Sequence, residues 1–99
     1  MVRAVQQSIE LSVVIPALHE AENLRNLLPQ VQIALNQLGI SWEVLVIDGD
    51  SRDGTEELVA SSGEGFRYIC ERERGYGKAI LRGIQESRGE FMLTMDADM

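Results

Sequence analysis

Four short apolar runs organise the chain: Leu11–Ile15, Trp42–Asp48, Phe66–Cys70 and Phe91–Met95. Each is strand-length and rich in aliphatic or aromatic residues, the composition of a buried strand rather than a half-exposed one. Pro16 follows the first run and, lacking an N–H, predicts its end. Between the first two runs Leu24, Leu27, Leu28, Val31, Leu35 and Leu38 recur at helical steps, with Gly39 as terminator. Pro29 sits inside that pattern and predicts a kink or break, since it removes one backbone bond and crowds the Arg25 carbonyl. A second, short helix is predicted from Thr55 to Ser61, capped by Asp53 or Ser51. A third runs from Gly77 to Ser87, packing through Ala79, Ile80, Gly83 and Ile84. The last run, bounded by Gly89 and by acid, reads as a strand buried on both faces. The alternation β-α-β-α-β-α-β with short connections predicts an α/β fold. Its sheet is parallel, of about four strands in order 3-2-1-4, with right-handed crossovers and helices on both faces.

Composition narrows the function classes. Ninety-nine residues make one domain, with 44% hydrophobic and 25% charged positions. Lys+Arg 9 against Asp+Glu 16 gives a net charge of −7, which excludes a generic nucleic-acid binder. A phosphorylated ligand needs a metal ion or focused local donors to overcome that repulsion. The one cysteine, Cys70, excludes an internal disulfide and a cysteine zinc cluster; it fits a small buried hydrophobe in a reducing compartment. Residues 1–10 are polar and aperiodic, read as a flexible arm without the apolar segment of a leader peptide. No apolar run approaches the roughly 20 residues that span a bilayer, so the expected location is cytoplasmic.

The strand ends carry the candidate chemistry. His19 and Glu20 follow the first strand, Asp48 and Asp50 end the second, and Asp96 and Asp98 end the fourth. Any one of them alone is ordinary loop solvation. Parallel topology gathers all three ends on one rim, where like charges repel unless a cation or ligand donors sit between them. Two hard oxygen donors at Asp96 and Asp98 suit a divalent cation that carries phosphates of its own. Arg74-Gly75-Tyr76-Gly77-Lys78 is the concentrated basic, flexible element nearby, and a helix start there favours an anion. The turn after the first strand has no glycine, and no Gly-Lys-Ser/Thr loop occurs, so the common nucleotide fingerprints are missing.

Four stretches together resemble family 2 glycosyltransferases. They are Val14-Ile15-Pro16-Ala17-Leu18-His19-Glu20-Ala21-Glu22-Asn23-Leu24, Val46-Ile47-Asp48-Gly49-Asp50-Ser51-Arg52-Asp53-Gly54-Thr55, Gly75-Tyr76-Gly77-Lys78-Ala79 with Gly83, and Met95-Asp96-Ala97-Asp98. Their order and spacing match the family over residues 11–99, and the wording is similar to the polyprenyl-phosphate hexosyltransferase branch, the dolichol-phosphate mannosyltransferase-like proteins.

That resemblance implies a GT-A, Rossmann-like fold and sugar transfer with inversion from a nucleotide-diphosphate donor, a GDP- or UDP-hexose. Carried over by position, Pro16, Leu18 and Glu20 would line the base and ribose pocket, Val46 would pack on the base, and Asp48 would hydrogen-bond its edge. Asp96 would face ribose and metal, Ala97 would join the donor pocket, and Asp98 would be a direct ligand of Mg²⁺ or Mn²⁺. A lipid phosphate acceptor, and with it the cytoplasmic face of a membrane, belongs to the longer parent enzyme. His19 stands where the family usually has Asn. The chain stops one residue past Asp98, so residues 11–99 are expected to be the donor-binding half, with no catalytic base assignable. An exposed fourth strand predicts homo-oligomers. Two readings of other classes stand beside this one: a non-catalytic nucleotide-binding or assembly module on the same half-fold, and a receiver-like phosphoacceptor, which lacks its acid pair after the first strand.

Overall fold

The computed structural model describes residues 8–98. Seven elements alternate along the chain: β1 (Ile9–Ala17), α1 (Ala21–Gln37), β2 (Trp42–Asp48), α2 (Thr55–Ala60), β3 (Phe66–Cys70), α3 (Tyr76–Glu86) and β4 (Gly89–Thr94). The strands form one parallel sheet in the order β3-β2-β1-β4, as the pattern predicts.

The sheet has helices on both faces. On one, Val13, Ile15, Val44 and Val46 pack against Leu24, Leu28, Val31 and Leu35 of α1 and Val59 of α2. On the other, Val14, Leu45, Ile47 and Ile69 meet Ala79 of α3. The close approach of α3 depends on Gly83, where a Cβ would overlap the Val14 side chain.

β1 differs from expectation at both ends. It begins at Ile9, which pairs with Gly89, while Glu10 and Leu11 donate backbone N–H bonds to the Ser41 carbonyl at 3.1 and 3.2 Å. Of the predicted arm, residues 1–7 lie outside the described residues. Nor does Pro16 end the strand, which runs to Ala17 opposite Asp48. The reason is directional. Ala17 O accepts from Gly49 N on the β2 side and Val14 O accepts from Met95 N on the β4 side, so in the upper half of β1, from Val14 on, even-numbered residues address β4. The missing Pro16 N–H therefore stops only the β4 ladder, whose last pair is Val14–Thr94. A crevice opens between β1 and β4 just above it.

α1 does not break at Pro29. Pro29 and Arg25 are both on the exposed face, where water can satisfy the carbonyl that loses its partner, and four buried aliphatics hold the opposite face to the sheet. The cap expectation also shifts. Gly54, with φ 90°, is the N-cap of α2, and Ser51 turns instead toward Asp48. Asp53 holds two helix starts at once, accepting from Thr55 N and from Ala21 N, both at 3.2 Å.

β4 is not buried on both faces. It is an edge strand with Phe91 66%, Met92 37% and Leu93 47% exposed, and no described element packs beyond it. Ile84 of α3, expected in the packing face, is likewise 55% exposed, because α3 covers β1 and β2 rather than β4. At its start β4 is tied down by a buried polar cluster. Glu43, 4% exposed, accepts from Ser12 Oγ (2.6 Å), Arg88 N (2.7 Å) and Arg67 Nη2 (3.2 Å). Ser12 Oγ in turn accepts from Gly89 N at 2.8 Å.

Candidate donor site at the strand ends

Because the chain order runs outward from β1 to β3 and then returns to the far side of β1, the sheet's switch point lies between β1 and β4. Ligands of open α/β sheets bind at such a crevice, outside the carboxyl ends of the strands. A cavity of about 460 Å³ sits there, large enough for a nucleotide-sized ligand. Pro16, Leu18 and Glu20 line it from the turn after β1, Asp48 from β2, and Asp96, Ala97 and Asp98 from the segment after β4. Seven of the eight residues that the resemblance assigns to donor and metal thus line one cavity, while His19 and Asp50 are not in its lining. Val46 stands apart. Its side chain is fully buried in the core with Val13, Ile15 and Val44, two residues short of the rim.

The loop between β3 and α3 closes the far wall with Arg74 and Tyr76, from the basic stretch expected near an anion, and with Glu71 and Glu73, which the sequence did not single out. Glu71 and Glu73 have cations of their own, Arg82 at 3.7 Å and Lys78 at 3.1 Å. Asp96 and Asp98 are exposed and have no ion pair among the described residues. α3 starts at Tyr76 on this wall, so its positively polarised end and the Arg74 guanidinium meet an otherwise acidic cavity.

Asp48 has 0% exposure and a carboxylate held by three donors. Oδ1 accepts from Ser51 Oγ at 2.7 Å, and Oδ2 accepts from Ser51 N at 2.9 Å and Tyr68 Oη at 2.7 Å. Ser51 Oγ accepts in turn from His19 N at 2.6 Å, which links the β1 and β2 loops. Burial pushes the Tyr68 hydroxyl above the usual tyrosine range, and its hydrogen bond to Asp48 and that residue's charge add to the shift. Tyr68 was invisible as a site residue in the sequence. The available signal was a tyrosine in a short buried strand, whose hydroxyl must find a partner. Two non-glycine residues adopt left-handed backbone here, His19 (φ 57°) and Asp50 (φ 67°), so local strain collects at the rim.

The metal expectation can be tested against the donors present. Among the described residues no three His, Cys, Asp or Glu side chains converge on one point, so the chain offers no closed protein cage. Asp96 and Asp98 alone fit a hard cation that keeps water and takes its other ligands from phosphate.

This architecture is that of glycosyltransferases of the GT-A type. The structure superposes on mannosyl-3-phosphoglycerate synthase from Rubrobacter xylanophilus with a TM-score of 0.79 and 26% identity, over 91% of this chain and 31% of that one. It superposes on a mannosyltransferase from Pyrobaculum calidifontis in complex with GDP-Man and Mn²⁺ with a TM-score of 0.74 and 25% identity, over 93% and 28%. Residues 12–99 match the family model described as glycosyl transferase family 2, and the chain belongs to that family. Its relatives include undecaprenyl-phosphate 4-deoxy-4-formamido-L-arabinose transferase of Pseudomonas aeruginosa (strain LESB58), 36% identical over 90% of this chain and 28% of that protein. Dolichol-phosphate mannosyltransferase of Saccharomyces cerevisiae is 33% identical over 93% and 36%. The chain therefore spans about a third of the length of these relatives. No helix among the described residues is long and apolar enough to cross a membrane.

Proposed function

We propose that the chain binds the nucleotide diphosphate of a sugar donor together with Mg²⁺ or Mn²⁺, for inverting hexosyl transfer to a polyprenyl phosphate in the longer enzyme. The observation that carries this reading is the cavity at the β1/β4 crevice, whose two exposed carboxylates, Asp96 and Asp98, have no ion pair among the described residues. Pro16, Leu18 and Glu20 shape the nucleoside end and Asp48 addresses the base. Asp96 and Ala97 adjoin the ribose and diphosphate, and Asp98 holds the metal. The metal supplies charge neutralisation on the departing diphosphate when bound. Arg74 and the start of α3 add a positive wall on the opposite side. The dolichol- and undecaprenyl-phosphate names of the relatives support the lipid phosphate as acceptor, and with it action at the cytoplasmic face of a membrane. Such a nucleophile is already anionic near neutral pH, so a strong base is less necessary than for a sugar hydroxyl.

Calorimetric titration with UDP and GDP, with and without Mn²⁺, tests this. Asp98→Ala is expected to abolish only the metal-dependent part of binding, and Asp48→Ala to weaken binding in either condition. Unchanged affinities for both variants in Mn²⁺ refute the assignment. The bare β4 edge favours a second reading, an assembly module that pairs with another chain; self-association without any nucleotide affinity is its signature.

A further inference from the structure

We infer that Ser51 and Asp53 are positioning residues of the donor pocket, a template on which the turn from β1 into α1 is set. The inference rests on the proposed place of Leu18 and Glu20 at the nucleoside end and adds how that turn is held. β1 and β2 pair in parallel as far as Ala17 and Asp48. Beyond that point the two chains stay joined at every second residue, with side-chain oxygens taking over as acceptors. Gly49 N donates to Ala17 O at 3.0 Å, His19 N to Ser51 Oγ at 2.6 Å, and Ala21 N to Asp53 Oδ2 at 3.2 Å. Leu18 falls between the first two of these bonds and Glu20 between the last two, and both line the cavity. Leu18 also rests against Gly49, where a Cβ would meet its Cδ1 at 3.0 Å.

The template is better anchored than the turn it holds. Ser51 is buried, and its hydroxyl donates to Asp48 Oδ1 at 2.7 Å, which leaves Oγ to accept from His19. Asp53 Oδ1 accepts from both the N–H and the hydroxyl of Thr55, which is fully buried. The turn, by contrast, contains His19 in left-handed backbone at φ 57°, a conformation unfavourable for a residue with a Cβ. Glu20, the N-cap of α1, makes no side-chain cap bond, so the first N–H of the helix relies on Asp53. Removing the Ser51 acceptor lets the turn relax toward right-handed backbone. Leu18 and Glu20 then keep their places in only a fraction of molecules, and apparent affinity falls by that fraction.

The test is calorimetric titration with UDP and GDP in Mn²⁺, at a temperature where circular dichroism shows each variant folded. Ser51→Ala is expected to weaken the tighter-binding nucleotide by at least about fivefold, the worth of one hydrogen bond. Adding His19→Asn to Ser51→Ala should bring the affinity back toward that of the parent. Asparagine adopts left-handed backbone more readily, and position 19 lies outside the cavity lining. A merely stabilising role for Ser51 would lower the melting temperature and leave the affinity unchanged, which overturns the inference. A loss that His19→Asn leaves in full overturns it too. If Ser51→Ala does not fold, Asp53→Ala decides in its place, because it removes the next bond along the same turn. Unchanged affinity in that variant overturns the inference while the donor reading stands. Failure of the parent to bind either nucleotide overturns both.

Discussion

Replacing Val46 by Ala separates two roles that one residue cannot hold at once. Val46 is fully buried in the core cluster that β1 and β2 form with α1 and α2, so the substitution removes two core methyl groups. At about 0.8 kcal/mol per methylene equivalent the transfer loss is about 1.6 kcal/mol. Incomplete collapse of the surrounding strands adds about 1 kcal/mol. The sum, about 2.5 kcal/mol, is a large share of the 5–15 kcal/mol typical of a small domain. It corresponds to a fall in melting temperature of about 10–20 °C for a chain this size. Urea unfolding followed by circular dichroism should show a lower midpoint with an unchanged slope. Nucleotide titration, run where the variant is folded, should give the affinity of the unaltered chain. A stability within about 0.5 kcal/mol of the parent, the range of a surface change, combined with a tenfold loss of nucleotide affinity, would return Val46 to the base contact that the family resemblance implies.

Glu43→Ala leaves Ser12 Oγ, Arg88 N and Arg67 without their shared acceptor and is expected to cost about 3–5 kcal/mol by denaturant melt; a change below about 1 kcal/mol would show that the cluster is dispensable. Asp53→Ala should lose about 1 kcal/mol at neutral pH by removing a carboxylate acceptor from the first N–H of two helices. The Thr55 hydroxyl hydrogen bond, aided by the Ala21 and Thr55 N–H groups, lowers the Asp53 pKa below 3.8 in the folded chain. Its contribution is therefore complete above that value and lost as pH falls through the folded pKa, so melts of parent and variant should converge in acid. Phe91 and Leu93 at an uncovered edge predict concentration-dependent association, which Phe91→Lys with Leu93→Lys should suppress; a monomer mass for the unaltered chain across a light-scattering dilution series would refute this.

Strand order was legible because four apolar runs and three short connections leave few right-handed arrangements. The rim was legible because acids close β2 and follow β4, and topology alone brings those ends together. What sequence could not supply was direction. Pro16 reads as a stop, yet an N–H missing on one side of a strand interrupts only the neighbour on that side. Pro29 reads as a break, yet its lost bond falls on the solvent face of α1. Ile84 and Phe91–Leu93 have the periodicity of packed positions, but period cannot say whether a partner layer lies opposite. The engagement of Asp48 by Tyr68 depends on a reach between neighbouring strands that no local pattern encodes.

The polar cluster beneath β4 bears on the order in which the molecule is completed. Gly89 N finds Ser12 Oγ across 77 positions of chain, and Arg88 N finds Glu43 across 45. Contacts of such separation close large loops and are entropically late. The other strands can assemble around α1 and α2 first, leaving two buried acceptors waiting for particular backbone amides. Only one alignment of the incoming strand satisfies both, and a slip by a single residue would turn Asp96 and Asp98 to the opposite sides of the sheet. The acid pair at the far end is thus proofread at the near end. The amides of β4, slow or fast in hydrogen exchange, report whether the corner that carries Asp96 and Asp98 exists at all.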